Sequence, residues 1–259
     1  MNSTIYGNKE TVNIILDKLK SKVPFTYIRY GDGDFIAMYP QSVNKVIGNA
    51  NKSFITEEIR RKLIESYEID KPNYLVGTLN TIIHPRSQYH NVDFKKINGV
   101  VKNHPSSLYS AIGIQEAFME DWKKFAEICK YIQHKKVLYI NHYYEPILTK
   151  FFGNNIQHIE VPQYNATEKH SEVLYKILNT DVHSYDIIIL SCGQLARVLA
   201  KDLFNRLPGK TIIDFGSTTD KLIIGTPSFE KLTLRSHISK NKNLITSNLN
   251  KIISYFGAD

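Results

Sequence analysis

Short apolar runs alternate with amphipathic stretches between residues 136 and 217, and few folds accept that pattern. Lys136 to Ile140, Ile156 to Val161, Asp186 to Leu190 and Lys210 to Phe215 are dense in Ile, Val and Leu, as strands covered on both faces are. Between them, Pro146 to Phe152, Ala166 to Leu178 and Gln194 to Leu207 read as helices. Such alternation requires right-handed crossovers, and so a Rossmann-like α/β fold: a mainly parallel sheet flanked by helices.

The first half is less regular. Thr11 to Lys22 has helical spacing and is closed by Val23-Pro24. Phe25 to Tyr30 reads as a strand running into Gly31, and Asn73 to Leu79 as another. Thr56 to Tyr67 reads as a helix with Thr56 as its N-cap. Residues 80–106 suggest loops around a short element, and Ser107 to Gln133 a helix broken near Gly113. Residues 231–256 supply one or two terminal helices. With no repeat, low-complexity segment or linker, one domain over residues 1–259 is the simplest account.

Composition narrows the function classes. At 42% apolar and 22% charged residues, the chain builds a core and is not disordered. A net charge of +8 favours anionic partners. The basic residues are dispersed in a chain rich in Lys, Asn and Ile, with no run of five, so no nucleic-acid partner is expected. Cys129 and Cys192 form no CxxC and suit a reducing compartment. The first residues lack a signal-peptide pattern, and runs such as Ile187 to Leu190 are too short to span a bilayer. A cytoplasmic location with no transmembrane segment is the expectation.

Ligands of open α/β sheets bind beyond the carboxyl ends of the strands. The residues there are Gly31-Asp32-Gly33-Asp34, Asn141 to Glu145, Pro162 to Asn165, Ser191 to Gln194 and Asp214 to Ser217. Two carboxylates one residue apart converge on one side of an extended segment, which suits Mg²⁺ or Mn²⁺ shared with phosphates. Gly31 and Gly33 allow close approach of a ligand, and Arg29 neutralises a phosphate. Ser191-Cys192-Gly193 opens a helix whose amides suit a phosphate or carbonyl. His142 and Glu145 are candidate general bases, and Tyr143, Tyr144 and Tyr164 are candidate stacking platforms. P-loop, G-x-G-x-x-G, H-E-x-x-H and G-x-S-x-G motifs are absent. Asp214-Phe215-Gly216 spells a kinase triplet without the rest of the kinase set.

Arg29-Tyr30-Gly31-Asp32-Gly33-Asp34 resembles the R-[FY]-G-D-G-E signature of the GT-D type glycosyltransferases. Ala196-x-x-Leu199-Ala200-x-Asp202-Leu203, Gly209-Lys210 through Gly216, and Pro162 through Ala166 are similar to further blocks of that family. The resemblance spans about residues 25–217, with residues 80–130 unaligned. It implies a GT-D fold and metal-dependent sugar transfer from a nucleotide-sugar, a UDP-sugar, to a glycan or glycoconjugate hydroxyl. By it Asp32 and Asp34 are the catalytic, metal and diphosphate residues, supported by Arg29. Cys192, Gly193, Gln194 and Asp214 line the nucleotide or sugar pocket, and Asn165 is expected there too. The chain departs from the family at Asp34 for Glu, at Cys192-Gly193-Gln194 for a G-P-T-like turn, and at Ser217 for His. A metal-dependent phosphohydrolase or sugar-phosphate enzyme, and a non-catalytic nucleotide- or nucleic-acid-binding protein on the same fold, stand as alternatives.

Overall fold

The computed structural model describes residues 3–47, 53–79, 94–226, 229 and 241–257. Its strands are β1 (Thr4–Ile5), β2 (Thr26–Arg29), β3 (Lys45–Ile47), β4 (Ser53–Ile55), β5 (Tyr74–Thr78), β6 (Ser107–Ser110), β7 (Val137–Asn141), β8 (Ile156–Glu160), β9 (Ile187–Leu190) and β10 (Thr211–Asp214). Eight form one sheet in the order β1-β6-β5-β2-β10-β9-β7-β8, with every pairing parallel. β3 and β4 form a separate antiparallel pair. The expected parallel, helix-flanked α/β architecture is therefore present.

Helices cover both faces because the central strands are apolar on both. One layer contains α2 (Asp32–Ala37), α3 (Glu57–Tyr67), α4 (Phe94–Val100), α8 (His170–Asn179) and α9 (Gln194–Arg206). The other contains α1 (Asn8–Lys20), α5 (Gly113–Glu120), α6 (Trp122–Gln133), α7 (Thr149–Phe152), α10 (Thr218–Leu222) and α11 (Lys242–Phe256). In β9, Ile188 and Leu190 belong to the first core and Ile187 and Ile189 to the second, the two-residue alternation of a strand. Thr56 caps α3 as expected, its Oγ1 accepting the Ile59 N–H at 3.1 Å.

Three expectations change. Ser107–Ser110 is β6, not the start of a helix, and α5 and α6 follow it. Buried Ser110 serves as a polar partner, donating from its Oγ to Asn8 and from its backbone N–H to Thr11, so β6 lacks a continuous apolar run. Asp32-Gly33-Asp34 is the first turn of α2 and not an extended loop. The hairpin of β3 and β4 was not anticipated. Residues 80–93 and 230–240 of the expected loop and terminal segments lie outside the described residues.

The topology locates a crevice. The chain leaves β2 and β9 into one layer, where Phe35 and Leu195 pack, and leaves β10 and β7 into the other, where Leu222 and Phe151 pack. Adjacent strands whose outgoing connections diverge leave a gap at their carboxyl ends. Four such ends, of β2, β10, β9 and β7, stand side by side. Among the described residues, no helix is long and apolar enough to cross a membrane.

Candidate active site

A cleft of about 200 Å³ lies above those four strand ends. Arg29, Gly31, Asp32, Gly33 and Asp34 contribute from β2 and α2, Gly216, Ser217 and Asp220 from beyond β10, Ser191, Gly193, Gln194 and Arg197 from beyond β9, and His142 from beyond β7. Of the residues expected in the site, Arg29, Gly31, Asp32, Gly33, Asp34, His142, Gly193 and Gln194 line it.

A buried arginine organises its floor. Arg197 Nη2 lies 3.0 Å from Asp34 Oδ2, and its Nη1 lies 3.1 Å from Asp214 Oδ2. Nη1 also donates to the Gly193 carbonyl at 2.6 Å. Burial opposes the charge on Arg197, but the Asp214 and Asp34 carboxylates outweigh it and push its pKa up. Burial raises the Asp34 pKa, against the pull of Arg197 and the Gly31 N–H, which donates to Asp34 Oδ2 at 2.7 Å. Arg197 was missed in the sequence. The available signal was an arginine in the otherwise apolar run Leu195-Ala196-Arg197-Val198-Leu199-Ala200, which needs anionic partners once buried.

This changes the roles open to the two carboxylates. Residues two apart on a helix point to different sides, so Asp32 and Asp34 do not converge. Asp34 is 5% exposed and neutralised by Arg197. Asp32 lines the cleft; its Oδ1 accepts the Gly33 N–H at 2.9 Å, and its Oδ2 is free of hydrogen bonds among the described residues. No group of three or more His, Cys, Asp or Glu forms a metal cage among those residues. One free carboxylate fits a hard cation that takes its remaining ligands from water and a diphosphate.

Arg29 and glycines line the cleft as well. Arg29 Nη1 donates to the Phe215 carbonyl at 3.1 Å, while its buried Nε has no partner. Gly216 has φ +48°, and a Cβ there would sit 2.6 Å from Arg29 Nη2. Gly193 has φ +61° and starts α9, whose thirteen residues direct their amino end at the cleft. Gln194 Nε2 donates to the Gly33 carbonyl at 3.0 Å, tying α9 to α2, and its buried Oε1 is unpartnered.

Asp220 is the second residue that sequence reasoning missed. It lines the cleft and is 7% exposed. The Tyr143 hydroxyl donates to its Oδ1 at 2.8 Å and lies 3.2 Å from Thr219 Oγ1. Ser191 Oγ donates to the Gly216 carbonyl at 2.7 Å and sits 2.6 Å from Thr219 Oγ1, tying the wall together. Burial pushes the Asp220 carboxyl up to about 6, against Tyr143, Lys221 and Arg29. Burial holds Lys221 down at about 8.

Other expected residues stand elsewhere. Cys192 is buried, 4% exposed, and burial pushes its thiol far above the usual range. Asp214 is fully buried beneath Arg197, with Oδ1 accepting the Gly216 N–H at 2.8 Å. Asn165 takes a left-handed conformation, φ 52°, and its Oδ1 accepts the Phe54 N–H at 3.1 Å, latching the β4 strand. Neither Asp214 nor Asn165 lines the cleft, nor does Glu145. His142 does, with a buried, unpartnered Nε2, and burial pushes its pKa down to about 4. Tyr143 is buried behind the cleft, while Tyr144 and Tyr164 are exposed.

A family model described as a GT-D fold-like domain matches residues 6–222. A solved structure described as a new glycosyltransferase of domain-of-unknown-function group 1792, from Streptococcus sanguinis, superposes with TM-score 0.63. It is 19% identical, over 84% of this chain and 82% of that one. Another, described as the highly conserved domain of that group with a distinct glycosyltransferase fold, gives TM-score 0.62 at 16% identity, over 83% and 79% of the two chains. At such identities the likeness is one of fold. Among curated proteins, none matches the chain.

Proposed function

The chain belongs to the GT-D-like family, and from that premise we propose that it is a glycosyltransferase using a nucleotide-sugar. The donor in this reading is a UDP-sugar, the acceptor a hydroxyl of a glycan or glycoconjugate, and the whole chain a single cytoplasmic domain. One observation carries it: the unpartnered Arg29 Nε and the amino end of α9 meet a free carboxylate, Asp32, in one cleft. Positive groups in one cleft with a carboxylate that keeps an open oxygen suit a diphosphate that brings a cation with it.

Each residue then has a task. Arg29 and the α9 amino end bind the diphosphate. Gly216, lacking a Cβ, leaves the Arg29 guanidinium its place. Asp32 is the residue that would hold Mn²⁺ or Mg²⁺, which stabilises negative charge on the departing diphosphate. Asp34 does not join it; with Asp214 it holds Arg197, which fixes the Gly193 carbonyl at the start of α9. Gln194 Oε1 and His142 Nε2, both buried and unpartnered, are available to hydroxyl or N–H groups of the donor.

The test is calorimetric binding of nucleotides and nucleotide-sugars, with and without Mn²⁺, to the wild type and Asp32→Asn. Metal-dependent UDP binding that disappears in Asp32→Asn, at unchanged melting temperature, is expected. Binding of no nucleotide would remove the reading, and release of inorganic phosphate from a monoester would favour a phosphohydrolase.

A further inference from the structure

We propose that Asp220 is the catalytic base that takes the proton of the attacking hydroxyl, and that Tyr143 is its positioning residue. The proposal rests on the nucleotide-sugar reading above and adds the proton acceptor and the stereochemical course. A proton acceptor must border the space where the acceptor oxygen meets the anomeric carbon. It must keep one lone pair free and be held in place. Asp220 meets these conditions: it borders the cleft, Tyr143 anchors its Oδ1, and its Oδ2 accepts no hydrogen bond among the described residues. The anchor is itself rigid, because Tyr143 is 7% exposed and its ring packs edge-on against His142 with centroids 4.8 Å apart.

The other acidic groups of the site are committed elsewhere. Asp34 and Asp214 are paired with Arg197, and Asp32 is the residue assigned to the cation above. His142, held near pKa 4 by burial, is a weak base compared with Asp220 near 6. Asp220 is therefore the carboxylate of the cleft placed to exchange a proton, its Oδ1 anchored by Tyr143. The charged and titratable groups facing Asp220 are Tyr139 from β7, Tyr143 from beyond it, Lys221 beside it in α10 and Arg29 from β2.

The step balances. The acceptor oxygen bonds to the anomeric carbon as the bond from that carbon to the β-phosphate oxygen breaks. The bonding pair leaves on the diphosphate, and the hydroxyl proton passes to Asp220 Oδ2. A single displacement of this kind inverts the anomeric configuration.

Water serves as the acceptor in the test. UDP-glucose, UDP-galactose, UDP-N-acetylglucosamine and UDP-N-acetylgalactosamine are screened, and hydrolysis of the one bound tightest is followed. UDP release and the anomer first formed are read by NMR for the wild type, Asp220→Asn and Tyr143→Phe. Asp220→Asn should bind UDP as the wild type does and hydrolyse about 10²–10⁴-fold more slowly. The wild-type rate should fall on the acid side of about pH 6. Tyr143→Phe should move that limb to higher pH, because the lost hydrogen bond was lowering the Asp220 pKa. A purely packing role for Tyr143 would leave the limb in place. Asp220→Asn turning over within about threefold of wild type, or retention of configuration, would overturn the base assignment and leave the nucleotide-sugar reading intact. Failure of the wild type to bind UDP or any of these donors would overturn both.

Discussion

Replacing Arg197 by Met tests whether the floor of the site is an electrostatic unit. The substitution keeps much of the side-chain volume and removes the charge between Asp34, 5% exposed, and Asp214, fully buried. It breaks ion pairs of 3.0 and 3.1 Å and takes the donor from the Gly193 carbonyl. Removing one partner of a buried ion pair costs about 3–5 kcal/mol, because the remaining charge stays buried and uncompensated. For a chain of this size each kcal/mol lowers the melting temperature by about 2–4 °C, so a fall of about 6–20 °C is expected. The loss should depend on pH. Burial already raises the Asp34 pKa against the pull of Arg197, so without the guanidinium its folded-state value stands further above the unfolded one. Below the unfolded value, about 4, Asp34 is protonated in both the folded and unfolded states and its share of the deficit is small; that share grows as pH rises through its folded value. Thermal unfolding followed by circular dichroism at about pH 5 and about pH 8 reads both effects. The triple variant Arg197→Met, Asp34→Asn, Asp214→Asn should recover most of the loss, since no bare charge remains. A fall in the single variant below about 2 °C, or one equal at both pH values, would show that Arg197 does not neutralise the pair.

Two further outcomes follow from the same site. Gly216→Ala forces a side chain into a left-handed backbone, φ +48°, and against Arg29 Nη2 at 2.6 Å; stability should fall by about 1–2 kcal/mol. UDP affinity should fall about 10- to 100-fold, since one charged contact is worth about 1.5–3 kcal/mol, and unchanged calorimetric affinity would remove Arg29 from the diphosphate site. Cys192, buried with its thiol pKa pushed up, should resist iodoacetamide in the folded protein at about pH 8, and alkylation at the rate of an exposed thiol would contradict its placement.

The core of the sheet was legible because parallel strands buried on both faces must be apolar throughout, as Ile187–Leu190 is. β6 was not, because its two apolar residues, Leu108 and Tyr109, stand between Ser107 and Ser110 and a helical pattern follows directly. The rim was legible for the same reason as the core: strand ends are visible, and ligands gather beyond them. That reasoning reached Arg29, Asp32, Gly193, Gln194 and His142, all of which line the cleft. It also reached Cys192, Asp214 and Asn165, which stand at strand ends but turn inward or toward β4. Position along a strand says which residues are near the rim, and side-chain direction says which of them meet a ligand.

The order of the strands and helices from β7 to β10, the parallel sheet and the rim on which chemistry sits were determined by the sequence alone, through periodicity that any local window displays. Only the tertiary structure decided which carboxylates are free. Asp34 and Asp214 lie far from each other in the chain, and both meet Arg197 within 3.1 Å, while Asp220 meets Tyr143 from a different strand end. Charge compensation and desolvation depend on distances through space and on the water excluded around each group. A motif written along the chain names the acidic residues and leaves to the fold which of them become structural and which face the substrate.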